Sequence, residues 1–471
     1  MNDPTGLTDL GVIDAAAALS SRDISSAELT TACLERIRDV GGVSSHEGDP
    51  DSINAWVRLY EDDALATAAR ADRQLAEGGD VPPLLGVPIG LKDLYGVAGK
   101  PVTASSSLLA DVPTEDCDAW SRLRAAGMVL LGHLHTHEFA AGGTTDQVAN
   151  PWNLDHSPGG SSGGSAAALA ARMVPAATGT DTAGSLRIPS ACCGTSTLKP
   201  TRGLVSLAGV VPLSWSLDHA GPMARTLIDC RALLAAMAGP DRGRAETALH
   251  ASGPAGIAAP RATETRIAVS PRVVRAEMDA EVEAGFEHAL EACRRIGATI
   301  LEPPAPAAGF DLGDDFLDIL STDMVAYHRR FDGRRDLYRP ALREWVELGE
   351  SRAVTGERYA AALARRRAMT AAWSSWYDEH RIAALIEPTI PVVAPRRGNG
   401  YEHAGSDFVL ISLTHFWDWT GFPVAAIPAG VGPASGLPVG ISLIGPAGSD
   451  WQLLELGIEL QRDMGIPSPP R

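Results

Sequence analysis

The chain has 471 residues, 45% of them hydrophobic and 21% charged, which is the composition of an ordinary folded protein with a large core. Acidic residues outnumber basic ones by 58 to 40, and the formal charge of −18 argues against nucleic acid or an anionic membrane as a partner. The start of the chain has no signal-peptide pattern, and no apolar run approaches the roughly 18 residues of a membrane span, so we expect a cytoplasmic protein.

Helical patterns dominate the first 80 residues. Residues 7–40 predict two helices, with a capping box from Ser25 to Glu28 at the start of the second. A third helix over residues 62–77 should end at the glycine pair that follows it. We expect residues 1–80 to form a helical layer of the same domain as residues 81–471.

Beyond residue 84 the pattern changes to short apolar runs separated by glycine. The runs 85–91 and 128–131 alternate with a helical segment over 118–126, which predicts buried strands of a parallel or mixed sheet. Further helices are expected over 226–237 and 274–296, with a strand over 298–301. The fold class we predict is a single α/β/α domain with a large twisted mixed sheet flanked by helices.

Three histidines, His133, His135 and His137, alternate along one of these segments and would share a face of a strand. Such a set superficially suggests a metal, but neighbouring histidines on a strand are more often simply hydrogen-bonded. We therefore expect no metal site. The cysteines also lack metal-ligand spacing and are predicted to be reduced, buried thiols: Cys33, Cys117, Cys192, Cys193, Cys230 and Cys293.

Two clusters of glycine and hydroxyl residues, 159–165 and 180–185, flank an alanine-rich segment. Glycine loses much backbone entropy on folding, so this density indicates a backbone that approaches a ligand or points N–H groups at a developing oxyanion. A flexible linker would not be followed at once by an alanine helix. A phosphate-binding loop would end in Gly-Lys-Ser/Thr, and this cluster has no lysine.

The first cluster also fits the G-x-S-x-G pattern of a nucleophile elbow centred on Ser161. This alternative is an α/β-hydrolase-like esterase, in which Ser161 acts with a His/Asp pair and His219, His403 or His415 supplies the base. An elbow should follow a strand, whereas residues 150–158 have the composition of turns.

A more specific interpretation comes from the two clusters taken together with Lys92, which lies in the segment 86–93. Ser161 and Ser185, 24 residues apart, stand in clusters that resemble the signature of the amidase signature hydrolases, and Lys92 stands where that family carries its base. Further resembling pieces occur at 198–203, 216–222, 421–423 and 436–446, so the resemblance covers about residues 54–454.

The resemblance implies a set of roles. Ser185 would be the nucleophile, with Ser161 and a neutral Lys92 as its proton relay, and the Gly160–Ser161 peptide bond would be cis. The implied oxyanion hole is the backbone N–H run of Thr182, Ala183, Gly184 and Ser185, although position 183 is often glycine in the family. The implied supporting residues are Gly160, Ser162, Asp181 and Arg187.

Function follows as an expectation: a serine hydrolase that cleaves C–N bonds of small aryl or alkyl amides through an acyl-enzyme, with carbamates (urethanes) and esters as open alternatives. We expect no cofactor, and a monomer or homodimer. Aromatic residues at helical spacing over 310–377 predict a helical segment of the substrate cleft. Predicted substrate contacts are Gly142, Gly143, Thr144, Phe416 and Trp419. Another class remains open, a partner-dependent component of a tRNA amidotransferase.

Overall fold

The computed structural model describes residues 4–241, 265–273, 277–398, 400–403, 405 and 408–469. Part of the helix predicted over 274–296 lies outside these residues. The structure shows that helix from Ala280 to Arg295, and it places a strand after it, as the pattern predicts.

Eleven strands of the described residues form one sheet. In chain order they are β1 (Trp56–Leu59), β2 (Pro88–Lys92), β3 (Val129–Leu134), β4 (Ala176–Asp181), β5 (Ser196–Lys199), β6 (His219–Ala224), β7 (Arg266–Val269), β8 (Thr299–Leu301), β9 (Ala384–Pro388), β10 (Val424–Val431) and β11 (Pro438–Ile444). Their order across the sheet is β1-β3-β2-β4-β6-β5-β10-β11-β9-β7-β8.

The sheet is mixed. Strand β2 pairs in parallel with both β3 and β4, and β7 pairs in parallel with β8 and β9. From β4 to β9 in this order, every pair of neighbouring strands is antiparallel. The interior strands β2, β4 and β6 are buried along their whole length, and most of their residues are small or apolar.

Fifteen α-helices occur in the described residues: α1 (Pro4–Leu7), α2 (Val12–Ser21), α3 (Ser26–Gly41), α4 (Glu61–Glu77), α5 (Asp118–Ala125), α6 (Gly163–Ala170), α7 (Arg187–Cys193), α8 (Leu227–Met237), α9 (Ala280–Arg295), α10 (Asp315–His328), α11 (Pro340–Ser351), α12 (Gly356–His380), α13 (Phe408–Ile411), α14 (His415–Thr420) and α15 (Asp450–Met464). Helices α3, α4, α6, α7, α8, α9 and α15 contact the strands. The predicted fold class, a large mixed sheet flanked by helices, is confirmed.

The N-terminal region differs from the prediction in one respect. The capping box is present, because Ser25 Oγ accepts from the N–H of Glu28 and the Glu28 carboxylate accepts from the N–H of Ser25. However, the region is not purely helical, since β1 joins the sheet edge beside β3. A four-residue edge strand depends on a partner some 75 residues away, and such pairing leaves little local pattern. The segment 310–377 contains α10, α11 and α12.

No helix in the described part of the chain is both long enough and apolar enough to cross a membrane.

Candidate active site

The candidate site lies where the neighbouring parallel strands β2 and β4 end side by side. Lys92 is the last residue of β2, and the chain that leaves β4 after Asp181 carries Ser185 and then enters α7. Ser161 lies just before α6, which packs against both strands. The fold therefore brings together three residues that are far apart in the sequence.

Lys92 is fully buried, and its Nζ is surrounded by hydroxyl groups. It lies 2.7 Å from Ser161 Oγ, 2.8 Å from Thr180 Oγ1 and 2.9 Å from Ser162 Oγ. Burial lowers the pKa of Lys92 to about 7, although the charges of Asp181 and Asp218 act in the opposite direction. A large fraction of this amine is therefore neutral near neutral pH.

A neutral amine has two N–H donors and one lone pair, so one of its three hydroxyl neighbours must donate to it. Ser162 Oγ is also 3.3 Å from the carbonyl oxygen of Thr180, which can accept its proton. Ser161 and Thr180 remain as the donors to Nζ. The geometry thus allows Ser161 to pass a proton to Lys92.

The peptide bond between Gly160 and Ser161 is cis, as the family resemblance implies. Gly160 lies against the backbone of Thr144, where an added Cβ would be 2.1 Å from the carbonyl oxygen of Thr144. Only glycine fits at this position, because a backbone atom cannot move aside as a flexible side chain can.

Ser185 borders a cavity, while its carbonyl oxygen accepts from the N–H of Ser162 at 3.3 Å. The preceding Gly184 has a φ of 138°, and an added Cβ would lie 2.4 Å from Thr414 Oγ1. Glycine is required there on both counts. Ala183 does not have a positive φ, so its backbone is one that alanine adopts readily.

One residue of the predicted oxyanion hole points elsewhere. The N–H of Gly184 donates to Asp181 Oδ1 at 2.5 Å, so that donor is directed at the carboxylate. The N–H groups of Thr182, Ala183 and Ser185 have no hydrogen-bond partner within the described ranges, and all three residues border the cavity. These three residues are therefore the candidates for stabilising an oxyanion.

Asp181 and Arg187 form a buried pair behind this segment. Arg187 Nε lies 2.8 Å from Asp181 Oδ2, and its Nη2 lies 2.5 Å from Asp418 Oδ2. Burial alone would raise the pKa of Asp181, but the charge and hydrogen bonds of Arg187 outweigh it and hold the pKa below its usual range. Asp418, on α14, was not predicted, because nothing in its local sequence indicates a partner 231 residues away.

The cavity beside Ser185 is narrow and apolar, with a volume of about 60 Å³. Thr182 and Ser185 supply its hydroxyl groups, and no described lining side chain is charged. Gly142 and Gly143, two of the predicted substrate contacts, line this cavity. Its other walls come from Ala140, Ala141, Ala183, Leu213, Phe316, Leu317, Leu320, Met324, Trp345, Phe408 and Ile411.

Three predicted substrate contacts are not in the cavity lining. The carbonyl oxygen of Thr144 lies 3.0 Å from the His137 ring, and its side chain does not reach the cavity. Phe416 is buried against Phe310 and Trp373, and Trp419 is buried in the same hydrophobic cluster. Aromatic residues close to a site are often packed in the core beneath it, and these two belong to that core.

The histidines have structural partners. His133 lies 2.8 Å from the Tyr60 hydroxyl, and burial lowers the pKa of His135 and of His137 to about 3. No group of three or more His, Cys, Asp or Glu side chains within the described residues is arranged to hold a metal ion. All six cysteines are buried and unpaired as thiols, and burial raises the pKa of Cys192 to about 12.

None of the three histidines considered for the esterase alternative contacts Ser161. His219 lies 3.3 Å from the carbonyl oxygen of Asp181, His403 pairs with Glu344 at the surface, and His415 contacts the carbonyl oxygen of Ile411. In the part of the chain that the structure describes, no histidine ring forms a hydrogen bond with Ser161 Oγ. The side-chain partner of Ser161 Oγ is Lys92 Nζ.

The chain matches a protein-family model, curated proteins and solved structures. The model of the Amidase family matches residues 29–454. The chain is 35% identical to a glutamyl-tRNA(Gln) amidotransferase subunit of Myxococcus xanthus over 97% of this chain and 98% of that protein. It is similar to the crystal structure of an amidase, with a TM-score of 0.82 and 29% identity over 97% of this chain and 100% of the other. It is also similar to the native peptide amidase of Stenotrophomonas maltophilia, with a TM-score of 0.79 and 29% identity over 98% of each chain.

Proposed function

Since the chain belongs to the amidase family, whose enzymes act on C–N bonds, we propose that it hydrolyses small, uncharged aryl or alkyl amides through an acyl-enzyme on Ser185. The observation that carries this proposal is the contact of the buried Lys92 amine with Ser161, beside a cavity that Ser185 borders. We propose that it needs no cofactor or metal and acts as a monomer or homodimer.

In the proposed reaction, Ser185 Oγ attacks the amide carbonyl carbon while its proton passes to Ser161 and from there to Lys92. The N–H groups of Thr182, Ala183 and Ser185 stabilise the oxyanion. The relay then returns the proton to the leaving amine as the C–N bond breaks. Water attacks the resulting ester in the same way, releasing the acid and restoring Ser185.

The character of the cavity supports an uncharged acyl group. An ionised group buried there would lose its hydration without gaining a partner, which costs several kcal/mol. Apolar side chains from α10 and α11 instead offer contact to a hydrocarbon chain or a flat ring. Carbamates and esters would present the same acyl carbon to Ser185, and whether they react depends on the leaving group.

A matched set of substrates tests this proposal. We expect 4-nitroanilides and N-aryl carbamates of apolar acids to be cleaved, together with the corresponding 4-nitrophenyl esters. Zwitterionic amides such as glutamine should react at least about 10²-fold more slowly in kcat/KM, because their charges would be buried unpaired. Activity confined to charged amides would contradict the proposed substrate class.

A second candidate is the catalytic component of an amidotransferase. It is favoured by the 35% identity to a protein named as an amidotransferase subunit over nearly the full length of both chains. The two candidates differ in their need for a partner. Co-purification of a second protein chain from the native cell, with hydrolysis absent until that chain is added, would favour the amidotransferase over an independent amidase.

The pH profile provides a test of Lys92. We expect kcat/KM for a neutral amide to rise with pH and level off above an apparent pKa near 7, because only the neutral amine can accept the proton. Asp181 and Asp218 raise this pKa, and the nearby His137 is neutral in this range. Burial raises the pKa of Asp218 to about 7 as well, so the Lys92 variant is needed to assign the titration. The residual activity of Lys92→Met should not show this fall of kcat/KM at low pH. If the same fall persists in that variant, another group is responsible for it.

A further inference from the structure

Asp218 is a buried carboxylate that holds two walls of the cavity at once. Its Oδ1 accepts from Thr182 Oγ1 at 2.6 Å and from the N–H of Ser214 at 3.1 Å, and its Oδ2 accepts from the N–H of Leu213 at 3.0 Å. Thr182 belongs to the predicted oxyanion segment, and Leu213 is an apolar wall of the cavity. One side chain thus connects the reacting end of the site to the wall that would contact the acyl group.

The sheet register explains why Asp218 faces Thr182. Strands β4 and β6 are antiparallel, and Asp181 is paired with His219. Thr182 is the residue that follows β4, and Asp218 is the residue that precedes β6. Continuing the register by one residue therefore places Thr182 opposite Asp218. A tight turn fixes Asp218 on its own side, because the N–H groups of Leu217 and Asp218 both donate to the carbonyl oxygen of Ser214.

The same turn is attached to the helices that cover the cavity. Ser214 Oγ donates to Asp323 Oδ2 of α10 at 2.7 Å, and the N–H of Ser216 donates to the same oxygen at 3.0 Å. The hydroxyl of Tyr359, on α12, donates to Asp323 Oδ1 at 2.9 Å. Because α10 also supplies Leu320 and Met324 to the cavity, the hydrogen bonds run continuously from the acyl-contacting helix to Thr182.

We propose that Asp218 is a positioning residue, which fixes the oxyanion segment at Thr182 relative to Leu213 and α10. An acyl group held between these walls then places its carbonyl oxygen near the N–H groups of Thr182, Ala183 and Ser185. This role rests on the proposed amide hydrolysis, in which those N–H groups stabilise the oxyanion. Asp218 is buried, so little water can replace a lost donor, and burial raises its pKa to about 7 although three groups donate to it.

The test compares Asp218→Asn, Thr182→Val and the double variant. We expect each to lower kcat for an apolar 4-nitroanilide by roughly 10- to 100-fold with KM changed less than about threefold, because a small displacement near the reacting atoms affects mainly the transition state. Thr182→Val removes the hydrogen bond to Asp218, and Asp218→Asn replaces one of the two oxygens that accept from Thr182, Ser214 and Leu213. The double variant should lose no more than the larger single loss, since both changes act on the same connection.

A second measurement does not depend on the substrate. A fluorophosphonate reacts when Ser185 Oγ bonds to phosphorus, fluoride leaves and the hydroxyl proton enters the relay, with the phosphoryl oxygen in the oxyanion hole. We expect its labelling rate to fall by a factor similar to that for kcat. If Asp218→Asn slows labelling in a protein that cleaves no amide, the proposed substrate class fails while the positioning role of Asp218 stands.

Asp229→Asn is the matched control. Asp229 is also buried, and it accepts from Thr226 Oγ1 at 2.6 Å and from the N–H of Ile13 at 2.9 Å, away from the cavity. The Asp229→Asn variant should have a lower melting temperature, but its Ser185 should be labelled at the wild-type rate. If Asp218→Asn does not fold, Thr182→Val carries the same test from the other side of the bond. Labelling and turnover within about threefold of wild type in Thr182→Val, or additive losses in the double variant, would overturn the proposal.

Discussion

Replacing Lys92 by methionine should reduce turnover of an apolar amide by about 10³- to 10⁴-fold, while the protein remains folded. The amine is buried among three hydroxyl groups, and burial lowers its pKa to about 7, so it is suited to accept a proton from Ser161. Methionine has a similar length and no charge, so the substitution removes the base without leaving a large void. Steady-state kinetics together with a thermal melt separates lost chemistry from lost folding.

Lys199→Met is the control for this substitution. The chain has three lysines, Lys92, Lys100 and Lys199, and Lys199 is also fully buried, with burial lowering its pKa to about 8. Its Nζ lies 3.4 Å from the carbonyl oxygen of Pro200, and no serine hydroxyl is within bonding distance in the part of the chain that is described. We expect Lys199→Met to retain turnover within a few-fold. Equal losses in both variants would indicate that burial of a lysine, and not base catalysis, is being measured.

Replacing Ser185 by alanine should abolish turnover and acylation, with a loss on the order of 10⁶-fold. No other hydroxyl takes its place, because Ser161 Oγ is bonded to Lys92 and Ser162 Oγ contacts both Lys92 and Thr180. Kinetics with a 4-nitroanilide and labelling with a fluorophosphonate both report on this loss.

Ser190→Ala is the matched serine control. Ser190 lies on α7, five residues after Ser185, and is also buried, but its Oγ has no hydrogen-bond partner among the described residues. We expect this variant to retain the activity of the wild type. Residual turnover of Ser185→Ala above about 1% of wild type would show that another group acts as the nucleophile.

The sequence was informative where the chemistry requires particular residues at short range. The glycine and serine clusters and Lys92 identify the group that the fold brings together, because close backbone approaches admit only glycine and leave a visible pattern. Gly160 and Gly184 illustrate this, since an added Cβ at either position would overlap neighbouring atoms.

The sequence was less informative where function depends on contacts between distant segments. Asp418 pairs with Arg187 and Asp218 with Thr182 only through the sheet and through α14, and neither pairing has a local signature. The aromatic residues show the same limit: Phe416 and Trp419 pack in the core, whereas Trp345 and Phe408 reach the cavity, and composition alone does not distinguish the two sets. Similarly, the turn of the Gly184 N–H toward Asp181 is visible only in three dimensions.

Mass spectrometry of the protein, acid-quenched during turnover of 4-nitrophenyl butyrate, tests the central claim that Ser185 is acylated. We predict a butyryl group on the peptide that contains Ser185 in the wild type, and no adduct in Ser185→Ala. Formation of the adduct should be slowed in Lys92→Met, because the serine then lacks its base. A butyryl group on Ser161 or on a cysteine, or an adduct that persists in Ser185→Ala, would contradict the account.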